Sequence, residues 1–415
     1  MLRNIIHEVL RLINSAIKKN AIMFMPHHNC LYDGYDIMNY DSDNVLCLLN
    51  YVLHSRQYKH LKLCVVYHDE CKRDQYYSYC QNLHDSIEFV YYKDRLGMVK
   101  SIISSKIIFV DNIYDRFRYK SNNQKIVCLG YYLAPYKDDY YRIENLDRKG
   151  MLMTYIKSIN KEFDYHITTS DLSSKLISND TFIYKHKFLS LGFPRNDIFY
   201  NKLLRYRKLI CSTLNINPRY IICYAPTHRD YENKNNNSSS TKLRKRTLFG
   251  FTDHDDDNKI ERLLEKLDAV IIAKVHPIQE RSILNNYTNG RIFYYSEIKS
   301  KMNVNLQQLL YSSDLLITDY SSTFYDYLNL DRPIVYYTYD AAEYVSSRSF
   351  CINPITPFTA GETALTIEEL VVTIENVLMN GDPSEKKRRY IRESFIKYMD
   401  GNSSERIANY FLSSI

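Results

Sequence analysis

The sequence predicts an α/β protein built on two parallel sheets, each covered by helices. Short runs of β-branched and aromatic residues alternate with helical patterns along the chain. The runs are apolar without a break, as strands buried on both faces require. They fall into two series separated by a polar crossover, and 415 residues exceed the usual size of one domain.

The first series is "AIMFM" (21–25), "LKLCVVY" (61–67), "KIIFVDN" (106–112), "KIVCLGYY" (125–132), "DYHITTS" (164–170) and "FLSLGFP" (188–194). The second is "YIICYAPT" (220–227), "AVIIAKVHP" (269–277), "RIFYYS" (291–296), "LLITDYSS" (315–322) and "PIVYYTYD" (333–340). Between them "RND" and "NINP" bracket a crossover helix, which puts the domain boundary at 202–218. Helices follow at "KIERLLEKLDA" and at "TIEELVVTIENVLMN", where Thr366 with Glu369 three residues on makes a capping-box pattern. "KKRRYIRESFIKYM" and "NSSERIANYFLSSI" close the chain as helices. At the start, Leu2, Ile5, Ile6, Val9, Ile13, Ala16 and Ile17 share one helical face, with Arg3, Arg11, Lys18 and Lys19 among the other positions. This amphipathic helix suits either a membrane surface or the protein's own body. The expected domains are thus 1–20 for that helix, 21–205 and 206–385 for two Rossmann-like domains, and 386–415 for the closing helices. "NKNNNSSSTKLRKR" (233–246) reads as a basic low-complexity insertion suited to an anionic acceptor or lipid headgroup, and "DHDDDN" (253–258) as a solvated loop lacking the glycine and terminal glutamate of a calcium loop.

Composition narrows the class. With 45% apolar and 25% charged residues the chain has enough material for large cores and should be ordered. A net charge of +7 is mild for this length and does not imply nucleic acid. It suits an anionic substrate or a membrane surface. The nine cysteines form no C-x-x-C pair and mostly sit in apolar runs, so they read as reduced core residues, with no zinc site. No apolar run approaches the roughly 18 residues of a membrane span. His7 and Glu8 interrupt the first apolar stretch, so no signal peptide is read and a cytoplasmic protein is expected.

The ten glycines never form G-x-G, and neither a Walker A sequence nor G-x-S-x-G occurs. Classical dinucleotide binding, P-loop nucleotide hydrolysis and α/β-hydrolase chemistry are therefore set aside. The strand ends carry other residues. "YAPTHRD" places Thr227, His228 and Arg229 after one strand, and "KVHP" places Lys274 and His276 after the next. "ITDYSS" places Thr318, Ser321 and Ser322 where a strand gives way to a helix. Open α/β sheets bind ligands beyond the carboxyl ends of their strands. Cations, hydroxyls and a helix N-terminus gathered there, in a cleft between the two domains, suit a diphosphate.

The order "GFPRND", "YAPTHRD", "KVHP", "ITDYSSTFYDYLNLDRPIVYYTYD" and "DGNSSERIAN" resembles the CDP-glycerol glycerophosphotransferase family, which includes teichoic acid primases and polymerases and related capsule enzymes. The resemblance covers 192–406 well and is weaker before it. It implies a GT-B fold, two Rossmann-like domains facing across a cleft, and transfer of a polyol phosphate from a CDP-activated donor with no cofactor and no metal. It implies that His276 lies at the donor diphosphate, with Thr318, Ser321 and Ser322 gripping phosphate oxygens and Asp326 nearby. Arg229 takes the place of the family's A-P-T-x-R arginine, and Thr227 and Lys274 complete the donor set.

One departure concerns the base. Where the family carries W-H-G after a strand of the first domain, this chain has Gly130, Tyr131 and Tyr132. An unshifted tyrosine has a pKa of about 10, too high for a base at neutral pH. His27 and His28 follow the first strand, with Asp33 and Asp36 close in sequence, and His28 is the expected base. The leading expectation is a transferase moving glycerol phosphate, or a similar polyol phosphate, to a cell-surface polymer or lipid-linked acceptor, with release of CMP. It would work from the inner face of the cell membrane, bound peripherally. A GT-B glycosyltransferase using a nucleotide sugar for capsule or lipopolysaccharide, and a catalytically degenerate member that binds nucleotide or polymer, stand beside it.

Overall fold

The structure, a computed structural model, describes residues 11, 14–26, 43–70, 73–111, 117, 120–130, 149–200, 204–227, 247–250, 254–275, 290–302, 304–348 and 358–415. The chain forms two compact units. One comprises Met1–Leu133, Leu146–Asn201 and Ile396–Ile415, the other Ala134–Asn145 and Lys202–Phe395.

Among the described residues the first unit holds seven parallel strands: β1 (Ala21–Met25), β2 (Lys62–Tyr67), β3 (Ile87–Tyr91), β4 (Ser105–Val110), β5 (Lys125–Cys128), β6 (Tyr165–Thr168) and β7 (Phe188–Ser190). Their order in the sheet is β3-β2-β1-β4-β5-β6-β7. Alternate residues feed two cores. Ile22, Phe24, Leu63 and Val65 enter one, while Met23, Cys64, Val66, Ile108 and Val110 enter the other. Burial of both faces is why these strands read as unbroken apolar runs.

Helix α1 (Asn44–His54) covers one face, buries Val45, Leu48, Leu49 and Val52, and is capped by Asp43, whose side chain accepts from Leu46 N–H. Further helices of this unit are α2 (Arg73–Gln81), α3 (Arg95–Ser104), α4 (Lys149–Glu162) and α5 (Asp171–Thr181). Residues 1–10, 12 and 13 lie outside the described residues, so the expected N-terminal amphipathic face is described only at its end. There Asn14 is buried and donates from Nδ2 to Gln124 Oε1 at 2.7 Å.

The second unit holds β8 (Tyr220–Ala225), β9 (Ala269–Ala273), β10 (Ile292–Tyr294), β11 (Leu315–Thr318), β12 (Ile334–Tyr337) and β13 (Glu362–Ala364), in the order β10-β9-β8-β11-β12-β13. Its helices include α6 (Leu204–Leu214), α7 (His254–Leu267), α8 (Tyr295–Met302), α9 (Leu306–Ser312), α10 (Thr323–Tyr327), α11 (Ala341–Arg348), α12 (Ile367–Asn380) and α13 (Glu385–Phe395). The capping signal at Thr366 is made: its hydroxyl accepts from Glu369 N–H, and Glu369 reaches back to Leu365 N–H. "DHDDDN" corrects the expectation of a loop, since α7 begins at His254. Carboxylates at a helix start meet the positive end of the dipole, so an acidic run continues the helix at its N-terminus. Asp256 there pairs with Lys259 at 3.0 Å. The insertion 233–246 lies outside the described residues.

The last two helices part company. Helix α13 stays with the second unit, where the buried Arg388 donates from Nε to Asp331 Oδ1 at 3.0 Å and Phe395 packs on Tyr325 at 5.0 Å. Helix α14 (Ser403–Leu412) returns to the first unit, placing Ile407, Ala408, Phe411 and Leu412 in the core beneath α1. Asp197 of "GFPRND" accepts from Ser403 N–H and Ser404 N–H, each at 2.8 Å. Gly401 takes a φ of +71°, and a Cβ there would meet Tyr200 Cβ at 2.8 Å. "GFPRND" and "DGNSSERIAN" are thus two halves of one latch. No helix among the described residues is long and apolar enough to cross a membrane.

Candidate active site

The second sheet has its topological switch point between β8 and β11. From β8 the chain winds outward through β9 and β10; from β11 it winds the other way through β12 and β13. A crevice opens beyond the carboxyl ends at such a point. Thr318 pairs with Ala225 in the parallel register there, so the segments that leave these two strands start side by side.

Asp319 joins them. It is only 2% exposed and accepts from Thr227 N–H at 2.8 and 3.0 Å, from Thr227 Oγ1 at 2.7 Å and from Ser321 N–H at 3.1 Å. One carboxylate thereby fixes the turn after β8 against the turn after β11. Thr318 is fully buried and its hydroxyl donates to Ala225 O at 2.8 Å. The hydroxyl proton is committed to the neighbouring strand, so Thr318 holds the strand ends together and does not offer that proton to a phosphate, as the resemblance implied.

The next residues alternate. Tyr320 is buried and stacks on Tyr344 with centroids 4.0 Å apart. Phe324 is also buried, while Ser321, Ser322 and Thr323 are half-buried. The two aromatic anchors therefore leave the hydroxyl run at the surface. Ser321 Oγ lies 3.0 Å from Thr323 Oγ1. Ser322 precedes α10 without a side-chain capping bond, so its hydroxyl is not spent on the helix. Helix α10 has five residues, so backbone N–H groups at its start count for more than any macrodipole.

Lys274 directly follows β9, half-buried, and its N–H donates to Tyr224 O at 2.7 Å. Burial pushes the Cys223 thiol up to about 12 against the opposing charge of Lys274, so Cys223 is an inert core residue. Asp326 is 4% exposed and faces α9, where Gln307 Nε2 lies 3.5 Å from its Oδ2; Asn329 Nδ2 donates to its carbonyl at 2.9 Å. The expected residues Arg229, His276 and His28 lie outside the described residues. Among the described residues no group of three or more His, Cys, Asp or Glu is placed to hold a metal ion.

Thr227, Ser321 and Ser322 are thus brought to the switch point, with Lys274 at the end of the adjacent strand β9. Asp319, which organises them, is a functional residue that the motif's hydroxyls overshadow in the sequence. Its signal was available: a carboxylate at the end of a buried strand must find N–H or O–H donors.

The family described as CDP-glycerol:poly(glycerophosphate) glycerophosphotransferase matches residues 11–413. The teichoic acid glycerol-phosphate primase of Bacillus subtilis (strain 168) is 27% identical over 326 residues, covering 77% of this chain and 77% of the primase. The teichoic acid ribitol-phosphate polymerase TarK of Staphylococcus aureus is 24% identical over 327 residues, 76% of this chain but 58% of the polymerase. In fold, a variant of the wall teichoic acid polymerase TagF aligns with a TM-score of 0.71 at 19% identity, covering 99% of this chain and 95% of that one. The two parallel-sheet α/β units are of the GT-B type. With a match that spans nearly its whole length, the chain belongs to the CDP-glycerol:poly(glycerophosphate) glycerophosphotransferase family.

Proposed function

We propose that this chain transfers glycerol phosphate from CDP-glycerol to a teichoic-acid-type acceptor and releases CMP. The observation that carries the reading is the family match over 11–413, supported by the hydroxyl-bearing turn that Asp319 secures at the switch point of the second sheet. The acceptor oxygen attacks the phosphorus that bears glycerol, and the bond to the CMP oxygen breaks. Ser321 and Ser322 would bind phosphate oxygens, with Thr227 held beside them by Asp319 and Lys274, Arg229 and His276 supplying positive charge. Fixed donors of this kind stabilise the charge that develops on the leaving phosphate.

The acceptor in this reading is lipid-linked, and the chain works at a membrane surface. The amphipathic pattern over 2–17 supports that placement. Deleting residues 2–18 should release the protein from anionic vesicles without unfolding it; undiminished binding would refute the anchor.

A thermal-shift panel of CDP-glycerol, CDP-ribitol and UDP-sugars tests the donor, read together with CMP release. A ligand at 100 times its Kd adds about 2.7 kcal/mol to stability. Stabilisation and turnover with CDP-glycerol are expected; a response to UDP-sugars alone would overturn the reading.

A further inference from the structure

The amino ends of the strands in the first sheet form a rim that plays no part in the donor site. Six of them lie side by side in the order β2-β1-β4-β5-β6-β7. Neighbouring strands stand about 4.8 Å apart, so five spacings carry the rim across roughly 24 Å. Lys18 precedes β1, Arg56 and Lys59 precede β2, Lys62 and Lys125 open β2 and β5, and Lys161 precedes β6. All six side chains are cationic and exposed. Lys59 also donates to Leu83 O at 2.6 Å, and Lys62 pairs in the open with Glu88 of the edge strand β3 at 3.6 Å. The two carboxylates before β6 are already engaged. Glu162 is buried and accepts from Phe117 N–H at 2.8 Å, and Asp164 accepts from Lys120 Nζ at 2.5 Å. At the other end of the sheet β2 leads out into Asp69 and Glu70, and β4 into Asp111, so charge is polarised along these strands. Apolar groups share the basic rim. Just before β7, Phe182 is 46% and Tyr184 56% exposed. Asn160, next to Lys161, fixes both: its Nδ2 donates to Phe182 O at 3.0 Å, and its Oδ1 accepts from Tyr184 N–H at 2.9 Å. Phe182 takes a φ of +57°, a left-handed conformation unfavourable for a bulky residue, yet its ring is left half in solvent. The N-terminal segment enters at the same rim. Asn14 donates to Gln124 just before β5, Asn20 N–H donates to Ser104 O at 3.1 Å just before β4, and Ile17 between them is exposed.

We propose that this rim is the surface by which the chain docks on an anionic lipid bilayer. This rests on the membrane placement proposed above and adds the face that meets the lipid. An anionic bilayer attracts cations to its headgroups and takes aromatic and aliphatic side chains into the boundary between headgroups and acyl chains. A polyanion in water would engage the cations but gain little from Phe182 and Tyr184, so the exposed rings favour lipid. The amphipathic segment that ends at Ile17 leads away from the same rim, and two attachments on one face hold more firmly than either alone. The electrostatic part of such docking weakens as salt rises.

The test uses the full chain and vesicles of phosphatidylglycerol mixed with phosphatidylcholine, against vesicles of phosphatidylcholine alone, read by cosedimentation. One cation near an anionic surface contributes about fivefold in affinity. Arg56→Gln combined with Lys125→Gln and Lys161→Gln should therefore weaken binding to the mixed vesicles by about 100-fold. Phe182→Ser combined with Tyr184→Ser should weaken it as well, at high salt and at low. Both variants should keep the wild-type Tm and the wild-type release of CMP in solution, since none of these residues lies in the donor site. Wild-type vesicle affinity in the triple variant overturns the proposal. Full vesicle binding by the ring variant also overturns it, and would make the rim a polyanion site, checked as binding of soluble poly(glycerol phosphate) that the triple variant loses. If the wild type binds neither vesicle, the membrane placement itself fails. If deletion of residues 2–18 releases the protein and the triple variant does not, the rim alone fails.

Discussion

Replacing Asp319 with alanine should damage the donor site and the second unit together. The carboxylate is the acceptor for two buried donors, Thr227 N–H and Thr227 Oγ1–H, and for the half-buried Ser321 N–H. A buried donor left unpaired costs about 1–3 kcal/mol, so the two Thr227 donors alone sum to roughly 2–6 kcal/mol. Water entering the gap should hold the loss near the lower end. In a unit of this size 1 kcal/mol moves Tm by roughly 2–4 °C, so Tm should fall by about 10 °C. Asp319→Asn keeps the shape but offers one acceptor oxygen and loses the charge, so it should fall between wild type and Asp319→Ala. Calorimetric unfolding gives the stability, and titration with CDP-glycerol gives the affinity. Below the lower Tm, the Kd of Asp319→Asn should still rise about tenfold, because the two turns it ties together carry the phosphate-binding hydroxyls. Unchanged Tm and Kd in Asp319→Ala would refute the view that this carboxylate builds the site.

Four further perturbations test the rest of the account. Ser322→Ala should weaken CDP-glycerol binding by about tenfold, the worth of one charged hydrogen bond, at an unchanged Tm. Thr318→Val should instead lower Tm and leave affinity nearly as it was, since its hydroxyl serves Ala225 O; titration and calorimetry of the pair decide this. Asp197→Ala removes the acceptor for Ser403 N–H and Ser404 N–H, so α14 should become the first segment cut in limited proteolysis, with a stability loss of about 2–4 kcal/mol. His166 lies buried between Phe163 and Phe188, and burial, with a smaller effect from Lys187, pushes its imidazole down to about 3. A depressed folded pKa means that its contribution is fully present above the unfolded pKa of about 6.5 and is lost as pH falls towards 3. Stability should drop by up to about 1.4 kcal/mol per pH unit across that window, and His166→Phe should flatten the drop in a series of urea titrations.

Much of the fold was legible because most strands are buried on both faces. Ala21–Met25 was read with its true bounds, and most of the others run two to four residues too far at the carboxyl end, where the loop begins. Two strands escaped. Ile87–Tyr91 and Glu362–Ala364 are edge strands, the latter three residues long, too short or too mixed for a continuous apolar signal. The acidic start of α7 escaped because aspartate disfavours helix interiors yet suits helix starts. The site motifs were visible as hydroxyls at strand ends, but sequence does not tell a hydroxyl that ties strands together from one that faces outward. Thr318 and Ser322 differ in that respect, and the difference comes from register: Thr318 is the last residue of a buried strand, paired with Ala225.

The most direct test is a structure of the protein with CDP-glycerol bound. Phosphate oxygens should lie about 2.7–3.2 Å from the hydroxyls of Ser321 and Ser322 or from the Ser322 N–H, beyond the carboxyl ends of β8 and β11. A diphosphate seated away from that switch point, with Ser321 and Ser322 facing only solvent, would contradict the assignment of the donor site.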